Sequence, residues 1–580
     1  MTVVNYSRRR FIQQSLFAAT AAGCPDWLQA NSLDIKSRAT PGFNADVELE
    51  FTAKQAAIAI LEQGQATQVQ KFYAELRKGP EHTLTQLPGN YLGPILNLQK
   101  GQKVRVYFTN RLQEPTIIHW HGLHVPQSSD GHPMYTIEPG AQYIYEFEVL
   151  NRAGTSFYHS HAHELTAEQV YKGLGGLIKV TDSDEAKLDL PRGEFDLPLV
   201  IQDRSFTANN QLQYVRAMPE RMMGFLGDKI LVNGKPNANF SVKSGVYRFR
   251  AVNASNSRIY KLGWEDGAPL IAIGTDAGLL ASPVKRPYLM LAPGERIDLW
   301  LDFSDMSVGS ERVLYSLPYS GVMPPMYERM FQHRGSQNMG MMMHHNLAQG
   351  GKFPILTFKI AEKIGDALKL PEKLVPFQHL SLDKVDNADR PLPIAISMQQ
   401  MQPVLNGKTF AMNRVLDLEK VSLGSFKKIS IFHDHGGEMG MGMMGGRRGE
   451  NSRGENSGRG MGSMGGGMGG MGGMGGMGGM GGMGGMGGMG GMMMEMAHPI
   501  HLHGQQFQII ARNAAKVNME AYRTVKDGFI DTGWKDTVLV MPGEVVDIIK
   551  PFQDYKGLFL YHCHNLEHED LGMMRQFLIS

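Results

Sequence analysis

The run Tyr561-His562-Cys563-His564-Asn565-Leu566-Glu567-His568-Glu569-Asp570-Leu571-Gly572-Met573 combines a thiol, three imidazoles and a thioether. These are soft or borderline ligands, and two His with a Cys and a weak axial Met form the blue-copper electron-transfer arrangement. Cys563, His568 and Met573 supply all of that set but one His. His562 and His564 flank the Cys directly. On an extended strand alternate side chains point to opposite faces, so Cys563 would hold one metal while both flanking His turn the other way. At strand rise the two His Cα atoms stand roughly 6–7 Å apart, which suits gripping two separate metals. The peptide would join a mononuclear copper to a metal cluster, and the rest of the chain must supply the cluster's other ligands.

Three further runs qualify. They are His119-Trp120-His121-Gly122, His159-Ser160-His161, and His498-Pro499-Ile500-His501-Leu502-His503-Gly504. With 20 His in 580 residues, chance gives under about one His-x-His pair, yet each of the four runs has one. The protein has only two Cys, Cys24 and Cys563, so a structural disulfide is not expected. With a formal charge of +2, nothing global argues for nucleic acid or an acidic partner.

Strands must position these runs. Asp46-Val47-Glu48-Leu49-Glu50-Phe51, Lys103-Val104-Arg105-Val106-Tyr107-Phe108 and Gln142-Tyr143-Ile144-Tyr145-Glu146-Phe147 alternate apolar with polar residues. Val246-Tyr247-Arg248-Phe249-Arg250 and Ile429-Ser430-Ile431-Phe432 echo them further along. Short alternating strands between regular turns predict antiparallel sandwiches or barrels. A Pro-Gly turn leading into a strand recurs once in each third, at Pro139-Gly140, Pro293-Gly294 and Pro542-Gly543. The reading is an all-β chain of three similar domains over 41–185, 186–365 and 395–580, with a connector over 366–394. An insert over about 436–496 interrupts the third. It holds Met-Gly-Gly repeats over 468–491 and 18 of the 39 Met, a composition that cannot build a core and is expected as a disordered loop. Residues 1–40 comprise a linker and a basic, weakly apolar segment with Ser7-Arg8-Arg9-Arg10-Phe11-Ile12, which fits a twin-arginine export signal. Cys24 invites a lipid anchor, but the residues before it match that motif poorly.

The four runs, in this order, resemble the signature of the multicopper oxidases, proteins of three consecutive cupredoxin-like Greek-key domains. The resemblance covers essentially the whole chain after the export segment, and the middle third lacks a copper motif, as in that family. It implies four copper ions. The type 1 copper would be held by His498, Cys563, His568 and Met573, and the type 2 copper by His119 and His501. The type 3 pair would take His121, His159, His161, His503, His562 and His564. Single electrons would pass from the type 1 site through Cys563 to His562 and His564, and O2 would be reduced to water. Asp130 and Glu569 resemble the family's proton suppliers.

Within that family the chain looks closest to the bacterial periplasmic cuprous oxidases of copper tolerance, on the export signal, the Met-rich insert and the fourth run. Cu(I), a soft ion suited to thioethers, is the expected substrate, with Met494, Glu495 and Met496 beside His498 as candidates for holding it. Smaller clusters stand at Met218, Met222 and Met223, at Met323, Met326 and Met330, and at Met339 to Met343 with His344 and His345. The alternatives are a laccase-like oxidase of phenols, an Fe(II) or Mn(II) oxidase, and a non-enzymatic copper store. The expected setting is the periplasm, as a monomer, with the export machinery as partner.

Overall fold

The computed structural model describes residues 38–215, 218–325, 327–328, 347–365, 368–399, 402–434 and 495–580. The export-like segment with Cys24, the Met339–His345 cluster, Met326, Met330, Met494 and nearly all of the Met/Gly insert lie outside them.

The alternation read in the first strands sets which face is buried. In Val47–Ile58 the side chains of Val47, Leu49, Phe51 and Ala53 are fully buried, while Glu48, Glu50 and Thr52 retain exposure. The strand pairs antiparallel with Thr67–Lys78 and parallel with Lys103–Arg111. That four-stranded sheet faces a five-stranded sheet, and both fall within residues 47–181. Their common core includes Trp120, edge-on to Phe51 at 6.0 Å. The pattern repeats with a seven- and a five-stranded sheet over 196–363, and a six- and a five-stranded sheet over 392–579. Cys563 and Met573 are themselves members of the third core. The expected run of three sandwiches is therefore present.

The three Pro-Gly turns share one geometry. Gly140, Gly294 and Gly543 have φ of +80°, +83° and +79°, the left-handed conformation that the third position of a type II turn demands. Each leads into a strand, at Gln142–Glu148, Arg296–Asp302 and Val545–Phe552. At Gly294 the turn also comes close to the histidines, since a Cβ there would stand 2.9 Å from the His564 ring.

One strand departs from the sequence reading. Val246–Asn253 alternates like a half-solvated strand, yet every residue is buried. Its polar face lies against neighbouring charges. Arg248 bonds Glu185 and Asp298, and Arg250 bonds Asp196 at 2.7 Å and reaches Thr155 of the first sandwich at 3.3 Å. Buried charges persist only when paired and hydrogen-bonded, so an interface between sandwiches replaced the solvent that the pattern implied.

Candidate metal centre

The His-x-His pairs do not sit in mid-strand. Each straddles a strand end, where one side chain is fixed by the ladder and the next projects beyond it. Ile118–His119 pairs with Gly154–Ser160 so that His119 faces His159, with His121 and His161 just beyond. His498–Leu502 pairs with Gly557–Cys563 so that His501 faces His562, with His503 and His564 just beyond. The first and third sandwiches abut at these ends. His161 Nε2 lies 3.3 Å from His562 Nε2, and His503 Nε2 lies 3.2 Å from the same atom.

All eight histidines of this cluster are buried. For most of them the outer ring nitrogen is occupied and the inner one is left. His119 Nδ1 donates to the Asp130 carbonyl (2.6 Å), His501 Nδ1 to the Asp536 carbonyl (2.9 Å), and His159 Nδ1 to the Ser160 carbonyl (2.8 Å). His503 Nδ1 lies 2.8 Å from Asp130 Oδ2, and His562 Nδ1 lies 3.1 Å from the Cys563 carbonyl and 3.0 Å from Glu569 Oε2. His121 is inverted. Its Nε2 donates to Asp536 Oδ1 (3.1 Å), which leaves Nδ1 facing His159 Nε2 at 3.4 Å. Nε2 of His119, Nε2 of His501 and both nitrogens of His564 are buried without a hydrogen-bond partner. Inward lone pairs with the opposite nitrogen anchored are what a cation bound by imidazoles requires. The donor set therefore fits a metal cluster.

Across the strand, Cys563 turns the other way. Its Sγ lies 3.5 Å from His498 Nδ1 and 3.7 Å from His568 Nδ1, and the three can converge on one ion. Met573 is fully buried in the same core, with its carbonyl accepting from Cys563 N at 3.1 Å. The Asn565 N–H donates to the sulfur at 3.4 Å. A buried Cys with two imidazoles and a neighbouring thioether fits copper. The expected alternation is thus realised, with Cys563 in one group and His562, with His161 and His503, in another.

Burial dominates the electrostatics. It lowers His159 to about 4 and His161 to about 3, with neighbouring imidazoles adding to the effect. It raises the Asp130 carboxyl well above the usual range. Burial alone would raise Glu569 as well, but His562 and His161 beside it draw it below the ordinary carboxylate value. The two carboxyls are thus pushed apart, the pattern by which acid and base roles are separated. A bound cation would draw both towards the ionised form.

A prediction follows for the metal-free protein. An unfolded His takes up its proton near pH 6.5, whereas folded His159 stays neutral until about pH 4. Between those values the unfolded chain holds more protons, so stability is present above pH 6.5 and is lost as pH falls. The loss is on the order of 3 kcal/mol per such imidazole by pH 4. Thermal unfolding of the apoprotein from pH 7 to 4 measures it, and a constant Tm would contradict the picture.

Several residues escaped the sequence reading. Asp536 holds His121 and is itself gripped by Arg296 of the middle sandwich, at 2.6 and 2.5 Å. Arg296 also bonds the carbonyls of Thr155, Asp276 and Gly294 and is fully buried. Glu567 and Asp570 flank the His568–Glu569 pair but face elsewhere. Glu567 accepts from Ser257, Asn256, Tyr214 and Phe225 N of the middle segment. Asp570 accepts from Thr166 N and Ala167 N, capping the helix Thr166–Lys172 of the first segment. Their signal was helical spacing, which separates positions 567 and 570 from 569 on the short helix Leu566–Asp570. Asp536 and Arg296 carried no local motif. Of the methionines, Met223, Met323 and Met496 are buried together in one apolar cluster with Met541, whereas Met218 is exposed.

Comparison with known proteins gives a consistent result. The family description "Multicopper oxidase" matches residues 68–185 and again residues 489–580. Those two stretches contain all four His runs. Multicopper oxidase mco of Staphylococcus aureus is 28% identical over 511 residues, spanning 88% of this chain and 87% of that protein. A laccase of Bacillus subtilis (strain 168) is 28% identical over 547 residues, with 85% and 89% covered. The crystal structure of the McoA multicopper oxidase of Aquifex aeolicus superposes with a TM-score of 0.67 at 28% identity, covering 93% of this chain and 97% of that one.

Proposed function

This chain belongs to the multicopper oxidases, oxidoreductases that carry copper and use O2 as acceptor, and on that premise we propose that it oxidises Cu(I) to Cu(II) in the periplasm and thereby serves copper tolerance. The observation that carries the substrate is the setting of His498. Two residues before it, Met496 is buried in one cluster with Met323 and Met541. A cavity of about 540 Å³ adjoins that cluster, lined by Met323 and Met541 together with Glu328, Glu495 and Glu520. Thioethers select a soft ion such as Cu(I), and carboxylates beside them accept the harder Cu(II) that oxidation produces. A phenol would favour a mainly apolar pocket. Laccase-like phenol oxidation is the second reading, favoured by the laccase relative.

The ligand assignment we adopt is His498, Cys563, His568 and Met573 for type 1, His119 and His501 for type 2, and His121, His159, His161, His503, His562 and His564 for type 3. Bound there, the copper ions supply one-electron redox chemistry and a place for O2. The chain's own residues do the rest. Cys563 and its peptide neighbours His562 and His564 connect the two sites covalently. Four electrons and four protons turn one O2 into two waters, and Asp130 and Glu569, in contact with His503 and His562, are the carboxyls that hold protons beside the cluster. His568 Nε2 lies 3.0 Å from the Met222 carbonyl, which fixes the ring against the helix Met218–Met223. We further take the chain to be exported by the twin-arginine route and to act as a monomer. Among the described residues no helix is long and apolar enough to cross a membrane.

The test is steady-state O2 consumption with Cu(I), a phenol and Fe(II) as alternative reductants. Met323→Leu with Glu328→Gln, and separately deletion of 437–494, should lower kcat/KM for Cu(I) by roughly tenfold or more while sparing the phenol. If both variants retain Cu(I) turnover, the substrate assignment is wrong. Equal losses with all three reductants would point to damage to the type 1 site instead.

A further inference from the structure

Where the three sandwiches meet there is a narrow cavity of about 20 Å³ that ends on His159 and His564. Its wall is built by Val170 and Leu177 of the first sandwich, Val200 and Val252 of the middle one, and Leu566 of the third. Gln202 and Ser255 in the wall are already engaged, and His564, where the cavity ends, is a single residue whose ring nitrogens lack hydrogen-bond partners, short of the set a buried water needs. Gln202 accepts from the Tyr91 hydroxyl at 2.5 Å and donates to the Ala254 carbonyl at 3.3 Å. Ser255 Oγ lies 2.8 Å from the Tyr260 hydroxyl. A buried water needs two to four polar partners, and a cavity without them stays dry and takes up apolar guests. The volume exceeds the roughly 10–15 Å³ that a water-sized guest occupies.

The space is also left open by a residue choice. Gly175 faces His159 across the sheet. A Cβ added there would meet only ordinary contacts, the Tyr158 carbonyl at 3.5 Å and the His159 Cβ at 4.0 Å. Neighbouring Gly176 is different, since a Cβ would strike the Tyr158 ring. Tyr158 packing thus requires Gly176, whereas nothing in the packing requires the gap at Gly175. Unfilled volume in a core is destabilising, so a gap ending on two of the clustered histidines calls for a use.

We propose that this cavity is a holding site for O2, a small apolar gas, from which the molecule reaches the His159–His564 side of the cluster. The proposal rests on O2 being the acceptor and is independent of which reductant the enzyme uses. Xenon, an apolar probe of similar size, tests occupancy directly. Crystals of the copper-loaded protein pressurised with xenon should show one xenon atom between Val200, Val252 and His564. Val252→Phe should exclude the xenon and raise KM for O2 roughly fivefold, leaving kcat and the anaerobic rate of type 1 reduction unchanged. Val200→Ala enlarges the same space and should increase xenon occupancy without raising KM for O2, which keeps the test alive if the Phe variant does not fold. An empty cavity under xenon would overturn the proposal. So would a xenon-free Val252→Phe enzyme with an unaltered KM for O2, or a Val200→Ala enzyme with no gain in xenon.

Discussion

Cys563→Ser should remove the blue absorption and lower O2 consumption with every reductant by on the order of 10³-fold or more, equivalent to about 4 kcal/mol on the barrier. The residue sits where a soft ligand and a covalent connection are both needed. Its sulfur is within 3.7 Å of the ring nitrogens of His498 and His568, and its two peptide neighbours are His562 and His564. Burial pushes its thiol well above the ordinary range, so only a bound cation makes it the thiolate that binds copper. Serine is nearly isosteric, and the Asn565 N–H that donates to the sulfur can donate to its oxygen. The fold and the histidine cluster should therefore persist. A type 2 signal in the electron paramagnetic resonance spectrum would verify this, and a serine variant with full oxidase activity would refute the electron route.

Glu569→Gln should separate the two halves of the reaction. O2 consumption should fall on the order of 10²-fold, while anaerobic reduction of the type 1 site by substrate proceeds at the normal rate. Glu569 stands 3.0 Å from His562 and 3.6 Å from His161, so its carboxylate lies against two cluster histidines. Glutamine keeps the shape and loses the exchangeable charge. Asp130→Asn should behave alike from the other side, where Asp130 contacts His503 at 2.8 Å and His119 at 3.7 Å. Flat pH–rate profiles in both variants would mark proton supply as the lost step. If anaerobic reduction slowed equally, the side chains would be positioning the ligands instead.

The histidines that the structure brings together, and Cys563 facing away from them, were legible because a strand has period two and the cluster lies at strand ends. His562, Cys563 and His564 announce two opposed faces by adjacency alone, and three Pro-Gly turns announce three repeats. What adjacency cannot encode stayed hidden. His121 and Asp536 are 415 positions apart, and Arg296 reaches Asp536 across 240. The middle third carries no copper motif, yet it brings Arg296 and Gly294 to the cluster. Arg248 and Arg250 misled for a related reason. Alternation reports that one face differs from the other, and an ion-paired interface satisfies that as well as water does. Among the methionines, composition announced a tract that the described residues barely include, and sequence marked Met323 beside Met326 and Met330, whereas its packing with Met541 is brought about by folding alone.

The short helix Leu566–Asp570 is fastened on both sides, through Glu567 to the middle segment and through Asp570 to the first. The eight histidines of the cluster are likewise split between residues 119–161 and 501–564. No fragment of the chain therefore carries the whole cluster, and a ribosome must finish nearly the whole polypeptide before its two halves can meet. Metal uptake by the cluster thus becomes a quality check on synthesis, since only a molecule whose last residues have docked onto its first brings those histidines together.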